Sequence, residues 1–318
     1  MSNQKDNFPL NISINQHLSS KCRTNEPSQN VYFQKLSNVK NQLHKLLIEA
    51  AHLLNNFYLD PASWDVAHKI DDTVVTTADH SIHALLTARL EQFGFNIPVI
   101  SEECTAEEFA AFTAKPPAVY WLIDPLDGTY GFVRGTGHFA VNVALIYKTQ
   151  AIAGWIAWPR VGWVCWAFGD KSYDSGAFSF PVREPESIES LIQLVQQPNP
   201  RVLVSSSRMK RKQWIVDGLT QHFGVPAVSS LGAAIKFCAM FRGYGDLYPR
   251  LAGTCLWDIA PGQVLLRARG GEIYRLDGSV MNYDFGLSIK NSHFLAVVDR
   301  RLPGLPNFLA YLETTEQS

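Results

Sequence analysis

The sequence predicts a layered α/β fold in two halves, with a cleft where the two halves meet. Segments with helical spacing of apolar residues occur near the beginning and in the second half of the chain, and short apolar runs of strand character lie between them. A chain of 318 residues that is 46% hydrophobic is long enough to bury one large core or two coupled cores. The sequence contains no internal repeat of fixed period.

Two amphipathic helices open the predicted fold. Ordered structure is expected from Leu36, and apolar residues recur at helical spacing as far as Phe57. A second helix is predicted from Ser81 to Phe93, and a glycine directly after it supplies a C-terminal stop. Asp79 lies just ahead of this second predicted helix, where the ordinary role of a carboxylate is to cap the helix.

Short strands are predicted to follow these helices. Compact apolar runs at 97–101 and 119–123 are typical of buried strands, and three apolar segments between 139 and 168 predict an antiparallel meander. The second half is predicted to contain strands at 202–204, 246–250, 272–274 and 294–298 and helices at 212–223, 233–241 and 258–269.

Composition along the chain predicts where the two halves begin and end. Residues 1–35 are rich in Asn, Gln and Ser and are expected to form a mobile extension. The polar stretch at 183–190 is expected to join an N-terminal α+β half, residues 36–190, to a C-terminal α/β half, residues 191–318.

Charge and cysteine content exclude several classes of function. The formal net charge of −1 and pI near 6.8 give no global field that would attract a nucleic-acid polymer or a membrane surface. The apolar runs are too short to cross a bilayer, and the first twenty residues lack the apolar core of a signal peptide. Five scattered cysteines without CxxC spacing suit reduced thiols, so a cytoplasmic location is predicted.

Two carboxylates follow the apolar run at 119–123 directly. Asp124 and Asp127 flank Pro125, whose ring fixes φ, and a turn there can bring both carboxylates and the Leu126 carbonyl to one side. An anionic cluster of oxygen atoms suits hard cations such as Mg²⁺. The alternative is that Asp-Pro and Asp-Gly pairs merely form a turn.

Further acidic residues stand at strand ends or helix starts. Glu102 and Glu103 follow the run at 97–101, and Asp258 begins a predicted helix after an apolar pair. A solvated strand edge or a helix N-cap accounts for each alone, but convergence on one cleft predicts a cation site. The segment Gly128–Thr129 is predicted to open a short helix whose N–H groups could hold a phosphate.

These motifs resemble those of the inositol monophosphatase superfamily of metal-dependent, lithium-sensitive phosphatases. The sequence carries "TTAD" at 76–79, "SEE" at 101–103, "DPLDGT" at 124–129 and "WDIAPG" at 257–262, in the family's order. The resemblance spans roughly residues 36 to 300 and implies an αβαβα layered sandwich with the active site between its two halves.

Within the superfamily, the segment at 229–262 is most similar to the CysQ type of bacterial 3′(2′),5′-bisphosphate nucleotidase. That similarity implies hydrolysis of adenosine 3′,5′-bisphosphate to AMP and phosphate by two-metal activation of water. A phosphatase for inositol or another sugar monophosphate is the alternative within the same class. A catalytically silent phosphate-binding relative is a third possibility, against which the intact motifs argue.

The resemblance also assigns roles to single residues, with two or three Mg²⁺ ions per site. It implies that the first Mg²⁺ is held by Glu102, Asp124 and the Leu126 carbonyl, and the second by Asp124, Asp127 and Asp258. Glu103 is expected in an outer shell or at a third ion. Thr129, paired with Asp79, would orient and help deprotonate the attacking water, so that Asp79, Thr129 and Glu102 form the expected catalytic set.

The expected substrate is a small phosphomonoester, and the protein is expected to be a monomer or homodimer. Amides of Gly128 and Thr129 would hold the scissile phosphate. Contacts to a second phosphate are expected from Ser205, Ser207, Arg208, Lys236 and Arg250. For Lys236 the alternative is a lysine on a helix surface. Tyr130 and Gly131 depart from the Lys-Glu that the CysQ type usually has here, which bears on the identity of the substrate.

Overall fold

A computed structural model describes residues 28–68, 74–169, 174–188, 200–205, 213–251, 253–284 and 288–316. Within these ranges the helices are α1 Gln29–Leu59, α2 Thr77–Gln92, α3 Ala106–Ala114, α4 Thr129–Val133, α5 Gln213–Phe223, α6 Ile235–Phe241, α7 Leu256–Ala268 and α8 Leu305–Glu316. The strands are β1 Val66–His68, β2 Val74–Thr76, β3 Val99–Ser101, β4 Val119–Asp127, β5 Ala140–Tyr147, β6 Gln150–Trp158, β7 Trp163–Phe168, β8 Asp174–Ser179, β9 Arg201–Val204, β10 Ala227–Ser230, β11 Leu247–Arg250, β12 Glu272–Arg275 and β13 Phe294–Val297.

The strands form two main sheets and one short hairpin. A six-stranded sheet has the order β3-β4-β5-β6-β7-β8, in which β3 and β4 are parallel and every later pair is antiparallel. A five-stranded sheet has the order β10-β9-β11-β13-β12 and mixes parallel and antiparallel pairs. The predicted antiparallel meander over 139–168 is confirmed as β5, β6 and β7.

Alternating side chains build the five layers of the sandwich. On β4, Trp121 and Ile123 face the core beneath α1 and α2, whereas Tyr120 and Leu122 face the core that contains α7. On β9, Leu203 faces this same middle core, and its neighbour Val204 packs against α5 and α8. The predicted αβαβα architecture is therefore confirmed, with α6 and α7 between the two sheets.

Several predicted boundaries were wrong. Helix α1 begins at Gln29 rather than near Leu36, and Tyr32 on its first turns is already buried. Helix α2 begins at Thr77 rather than Ser81, because the side chain of Thr76 caps it. Helix α7 begins at Leu256, two residues before Asp258. The predicted extension at 1–35 therefore overlaps α1, and its first 27 residues lie outside the described ranges.

Six elements were missing from the prediction: β1, β2, α3, β8, β10 and α8. Helix α3 has no buried residue, and β8 is an edge strand whose residues are mostly exposed, so neither shows strong apolar periodicity. The division at residue 190 stays a prediction, since residues 189–199 lie outside the described ranges. None of the helices in the described part of the chain combines the length and apolar character that a membrane span requires.

Candidate active site

The acidic pair of β4 is oriented by a β-bulge. The strand does not stop at Ile123 as predicted but continues to Asp127, and its register against β5 shifts between Asp124 and Asp127. Asp124 pairs with Asn142 and Asp127 with Ala140, so three steps along β4 match two along β5. Residues three apart on a regular strand point to opposite faces, and the extra residue of the bulge removes this opposition. Both carboxylates can therefore serve one site.

Helix α7 brings a third carboxylate to this pair. Asp258 is the third residue of the helix, and its Oδ2 accepts a hydrogen bond from the Cys255 backbone N–H at 2.8 Å. Ligand oxygens of Asp124, Asp127 and Asp258 all lie within 4.8 Å of one another. The structure thus brings together three of the predicted metal-binding side chains from two distant segments of the chain.

The electrostatics of these three carboxylates favour a bound cation. Burial, and then the neighbouring carboxylates, raise the pKa of Asp124 and of Asp258 well above the usual value, and burial also raises the pKa of Asp127. Asp124 is 1% exposed, and its Oδ2 has no hydrogen-bond partner among the described residues. Packing like charges together without solvent is costly, and an unpartnered oxygen among them is a free ligand position. The donor set fits a hard divalent cation.

Two glutamates lie beside the three carboxylates. The Glu102 backbone N–H donates to the Ile123 carbonyl at 3.2 Å, and the charge of its side chain contributes to the raised pKa of Asp124. Glu102 is not part of the group whose oxygens lie within 4.8 Å. The charge of Glu103 raises the pKa of Asp79. Both glutamates therefore add negative charge close to the residues of the candidate site.

The predicted pair Asp79–Thr129 is in contact. The Thr129 hydroxyl lies 3.3 Å from Asp79 Oδ1 and 3.1 Å from the Leu126 carbonyl oxygen, and can donate to either. Asp79 Oδ2 accepts from the backbone N–H and the hydroxyl of Thr76, at 2.7 and 2.6 Å. Burial raises the pKa of Asp79 to about 6, although the bonds from Thr76 lower it. Asp79 thus caps helix α2 and is also a buried hydrogen-bond acceptor for Thr129.

Predicted phosphate contacts from the second half line a cavity next to the carboxylates. Ser205, Lys236 and Arg250 line this cavity together with Asp127 and Asp258. The Arg250 guanidinium donates to the Ser205 hydroxyl, and it also donates to the Gly253 carbonyl at 3.2 Å. The predicted contacts Ser207 and Arg208 lie outside the described residues.

Lys236 is not the surface lysine of the alternative interpretation. It is 2% exposed, and its Nζ donates to the carbonyls of Leu231 and Ala233 at 2.9 and 2.6 Å. The Nζ also lies 4.8 Å from the centre of the Tyr248 ring. Burial lowers the pKa of Lys236 to about 7, with a further lowering from Arg250. This cation is held inside the protein beside the acidic cluster.

The loop after "DPLDGT" depends on two glycines. Gly128 has φ of 90°, which favours glycine, and serves as the N-cap of α4. A Cβ on Gly131 would lie 2.7 Å from the His138 carbonyl oxygen, so the close chain approach excludes a side chain there. Tyr130 between them is 62% exposed, and the Arg134 guanidinium lies 4.6 Å from its ring centre. The glycine at 131, which departs from the usual CysQ pattern, is therefore required by the close approach of the chain at His138.

Sequence reasoning missed two groups that hold Asp127. The Asn142 side chain and the Ala234 backbone N–H both donate to Asp127 Oδ2, at 3.2 and 2.5 Å. Asn142 lies within the apolar segment 139–148 and carries no motif of its own. A polar amide inside a fully apolar strand was the one signal that could have identified it.

Comparison with known proteins assigns the chain to a family. The sequence profile of the inositol monophosphatase family matches residues 30–302. The chain belongs to this family. The motif resemblance and the layered fold expected from it are thereby confirmed.

Two bacterial proteins called 3′(2′),5′-bisphosphate nucleotidase CysQ illustrate how the chain relates to other family members. It is 29% identical to the protein of Salmonella typhimurium over 268 residues, covering 81% of this chain and 98% of that one. It is 30% identical to the Aggregatibacter actinomycetemcomitans protein over 259 residues, covering 80% and 91%. The crystal structure of CysQ from Bacteroides thetaiotaomicron matches with a TM-score of 0.66 at 26% identity, covering 86% of this chain and 100% of that one.

The acidic cluster of this family member should make the metal-free protein less stable as pH rises. A carboxyl group whose folded pKa is raised adds stability below its usual pKa and loses it as pH rises through the folded pKa. For Asp79 this window runs from 3.8 to about 6, and burial also raises the pKa of Asp124 and of Asp258 well above 3.8. The raised pKa of Asp79 alone contributes roughly 3 kcal/mol at most to the free energy of unfolding that is lost across this window. Thermal unfolding in excess EDTA should show a falling Tm across this window.

Added Mg²⁺ should restore stability most at the upper end of this pH range, where the carboxylates are ionised. Asp127→Asn is the matched variant, because it removes one charge from the cluster and should flatten the slope measured in EDTA. Identical pH slopes for the wild type and this variant would contradict the prediction.

Proposed function

We propose that this chain is a metal-dependent phosphomonoesterase of the 3′(2′),5′-bisphosphate nucleotidase type, which converts adenosine 3′,5′-bisphosphate to AMP and phosphate. One observation carries the proposal: the carboxylates of Asp127 and Asp258 share a cavity with the cations of Lys236 and Arg250. A site that binds cations on one side and presents the Arg250 guanidinium on the other suits a substrate with two phosphates. The similarity to the CysQ proteins supports the same substrate class.

The carboxylates would hold two or three Mg²⁺ ions through Glu102, Asp124, Asp127, Asp258 and the Leu126 carbonyl. When bound, divalent cations neutralise the phosphate, lower the pKa of water in the site and stabilise the leaving oxygen. Within the chain, the β4 bulge and the first turn of α7 supply the fixed geometry of the ligands. Oxygens of three of these ligands, Asp124, Asp127 and Asp258, lie within 4.8 Å of one another, which supports this assignment.

Thr129 and Asp79 supply the path for a proton. The Thr129 hydroxyl has one hydrogen, which it can donate to Asp79 Oδ1 while its lone pairs accept a hydrogen bond from water. A water can give a proton to the threonine oxygen while the threonine's own hydrogen moves to Asp79 Oδ1, which leaves a hydroxide and a protonated Asp79 carboxyl group. Because burial raises the pKa of Asp79 to about 6, this carboxylate can accept a proton near neutral pH.

Arg250 should select for the second phosphate. Arg250→Met removes the guanidinium but keeps an unbranched chain of similar length. Hydrogen bonds to charged groups contribute about 1.5–3 kcal/mol, so KM for adenosine 3′,5′-bisphosphate should rise by about 10- to 100-fold. The KM for a nucleoside monophosphate should change little. Steady-state kinetics on both substrates gives the comparison. Arg275→Met is the matched control, since Arg275 bonds to residues outside this cavity; equal losses on both substrates would refute the role.

A substrate panel tests the proposed function as a whole. In millimolar Mg²⁺, kcat/KM for phosphate release should be highest for adenosine 3′,5′-bisphosphate. A higher kcat/KM for inositol 1-phosphate would move the chain to the sugar phosphatases of the family. No release from any monoester would favour a catalytically silent phosphate-binding protein.

A further inference from the structure

Asp127 is fixed by donors from both sheets of the molecule. Its Oδ2 accepts from Asn142 Nδ2 at 3.2 Å, and Asn142 lies on β5 of the six-stranded sheet. The same oxygen accepts from the Ala234 backbone N–H at 2.5 Å, just before helix α6. Both donors bond to the same oxygen, so together they fix the orientation of the carboxylate.

The Asn142 amide also reaches the helix that carries Asp258. Its Nδ2 donates to the Trp257 carbonyl at 3.4 Å, and an amide nitrogen has two hydrogens, one for each acceptor. Asn142 itself cannot shift, because it is fully buried and its strand pairs with β4 at Asp124 and with β6 at Ile156. One side chain therefore connects the bulged strand to the first turn of α7.

We propose that Asn142 is a positioning residue that sets the spacing between Asp127 and Asp258, and thereby the affinity for the divalent cation. This inference rests on the proposed metal-dependent function. Asparagine suits the position because it donates twice without adding charge. An aspartate would place another anion against Asp127, and an apolar residue would leave Asp127 Oδ2 and the Trp257 carbonyl each one donor short.

The cost of this residue argues for function over stability. Asn142 Oδ1 is buried and has no hydrogen-bond partner among the described residues. A buried, unpaired carbonyl oxygen costs about 1–3 kcal/mol, which an apolar residue at this position would avoid. Residues that orient metal ligands typically change metal affinity by about 10- to 100-fold when they are replaced. The amide that bridges the two acidic segments is thus itself incompletely satisfied.

The second donor to Asp127 is fixed independently of Asn142. The segment before Ala234 is held by Lys236, whose Nζ donates to the Leu231 and Ala233 carbonyls. Ala233 has φ of 48°, the left-handed region, which turns the chain so that the next N–H points at Asp127. Replacing Asn142 should therefore loosen Asp127 without releasing it, so a graded loss of affinity is expected rather than a complete loss.

The test is metal binding measured without substrate. Asn142→Leu should raise the Kd for Mn²⁺, followed by electron paramagnetic resonance titration, by about 10- to 100-fold. The Mg²⁺ concentration for half-maximal activity should rise by a similar factor, while kcat at saturating Mg²⁺ should recover most of its wild-type value. Asn142→Ala removes the same donors without a branched side chain and should give the same direction if the leucine variant folds poorly.

Asn55→Leu is the matched control, because Asn55 is also buried but contacts Arg160 and the Arg183 carbonyl instead. It should lower Tm and leave the Mn²⁺ affinity unchanged. If the wild type binds Mn²⁺ and both Asn142 variants bind it equally well, the role of Asn142 is overturned, while the proposed function stands. Equal losses of affinity in the Asn55 and Asn142 variants would also overturn it, and a wild type that binds no Mn²⁺ would overturn the proposed function with it.

Discussion

Asp127→Asn should abolish phosphate release while leaving the fold intact. The amide keeps the shape of the carboxylate, and its oxygen can still accept from Asn142 and Ala234, which hold Asp127 in the wild type. What disappears is one of three clustered negative charges. Metal ions supply several kcal/mol of transition-state stabilisation, and each 1.4 kcal/mol is tenfold in rate, so a loss on the order of 10³-fold or more is expected.

The same substitution should not destabilise the metal-free protein. Burial raises the pKa of Asp127, and the charge of Asp127 raises those of Asp124 and Asp258, so removing it relieves repulsion. Calorimetry in EDTA should therefore show a Tm equal to or above that of the wild type, and the Tm increase on adding Mg²⁺ should be lost. Asp299→Asn, which removes an exposed carboxylate paired with Arg301, should leave both quantities unchanged. Near-native turnover in Asp127→Asn would rule out the assignment of this carboxylate.

Thr129→Val should lower kcat by about 10²- to 10⁴-fold, the usual contribution of general acid–base catalysis. Valine has nearly the shape of threonine but no hydroxyl, so the contacts to Asp79 Oδ1 and the Leu126 carbonyl are lost together. The carboxylates of the metal site are untouched and only the Leu126 carbonyl loses a donor, so the Mg²⁺ concentration for half-maximal activity should change far less than kcat. Single-turnover kinetics at saturating substrate measures the chemical step directly.

Thr129→Ser is the matched control for this variant. Serine restores the hydroxyl and removes only a methyl group, so most of the activity should return. If the valine and serine variants are equally slow, the methyl group matters and the hydroxyl does not, which would remove Thr129 from the proton path. If both retain wild-type kcat, the proton leaves the water by another route.

The residues of the candidate site were more predictable than their geometry. Asp124, Asp127 and Asp258 stand in spaced motifs, and the structure brings their oxygens together as expected. The bulge that orients the first two was not predicted, because a strand that passes through Pro125 looks like a strand that has ended. The burial of Lys236 was not predicted either, because the local sequence does not show whether another layer of the fold covers α6.

Asn142 shows where sequence reasoning stops. Its effect depends on Asp127 and on Trp257, which are 15 and 115 residues away along the chain. Periodicity describes which face of a strand is buried, but it does not describe which acceptor lies opposite a single polar residue on that face. Elements with a strong apolar pattern were predicted well, as in β5 and in α1 from Leu36 onward, and weakly patterned ones such as α3 were not.

Helix α7 packs between the two sheets and contacts β5 and β6 on one side and β12 and β13 on the other. It also delivers Asp258. A nascent polypeptide that has left the ribosome only as far as β8 consequently contains Asp124 and Asp127 but not Asp258. Hydrolytic competence should therefore arise late in translation, after the C-terminal strands emerge, and fragments released by premature termination should be inert.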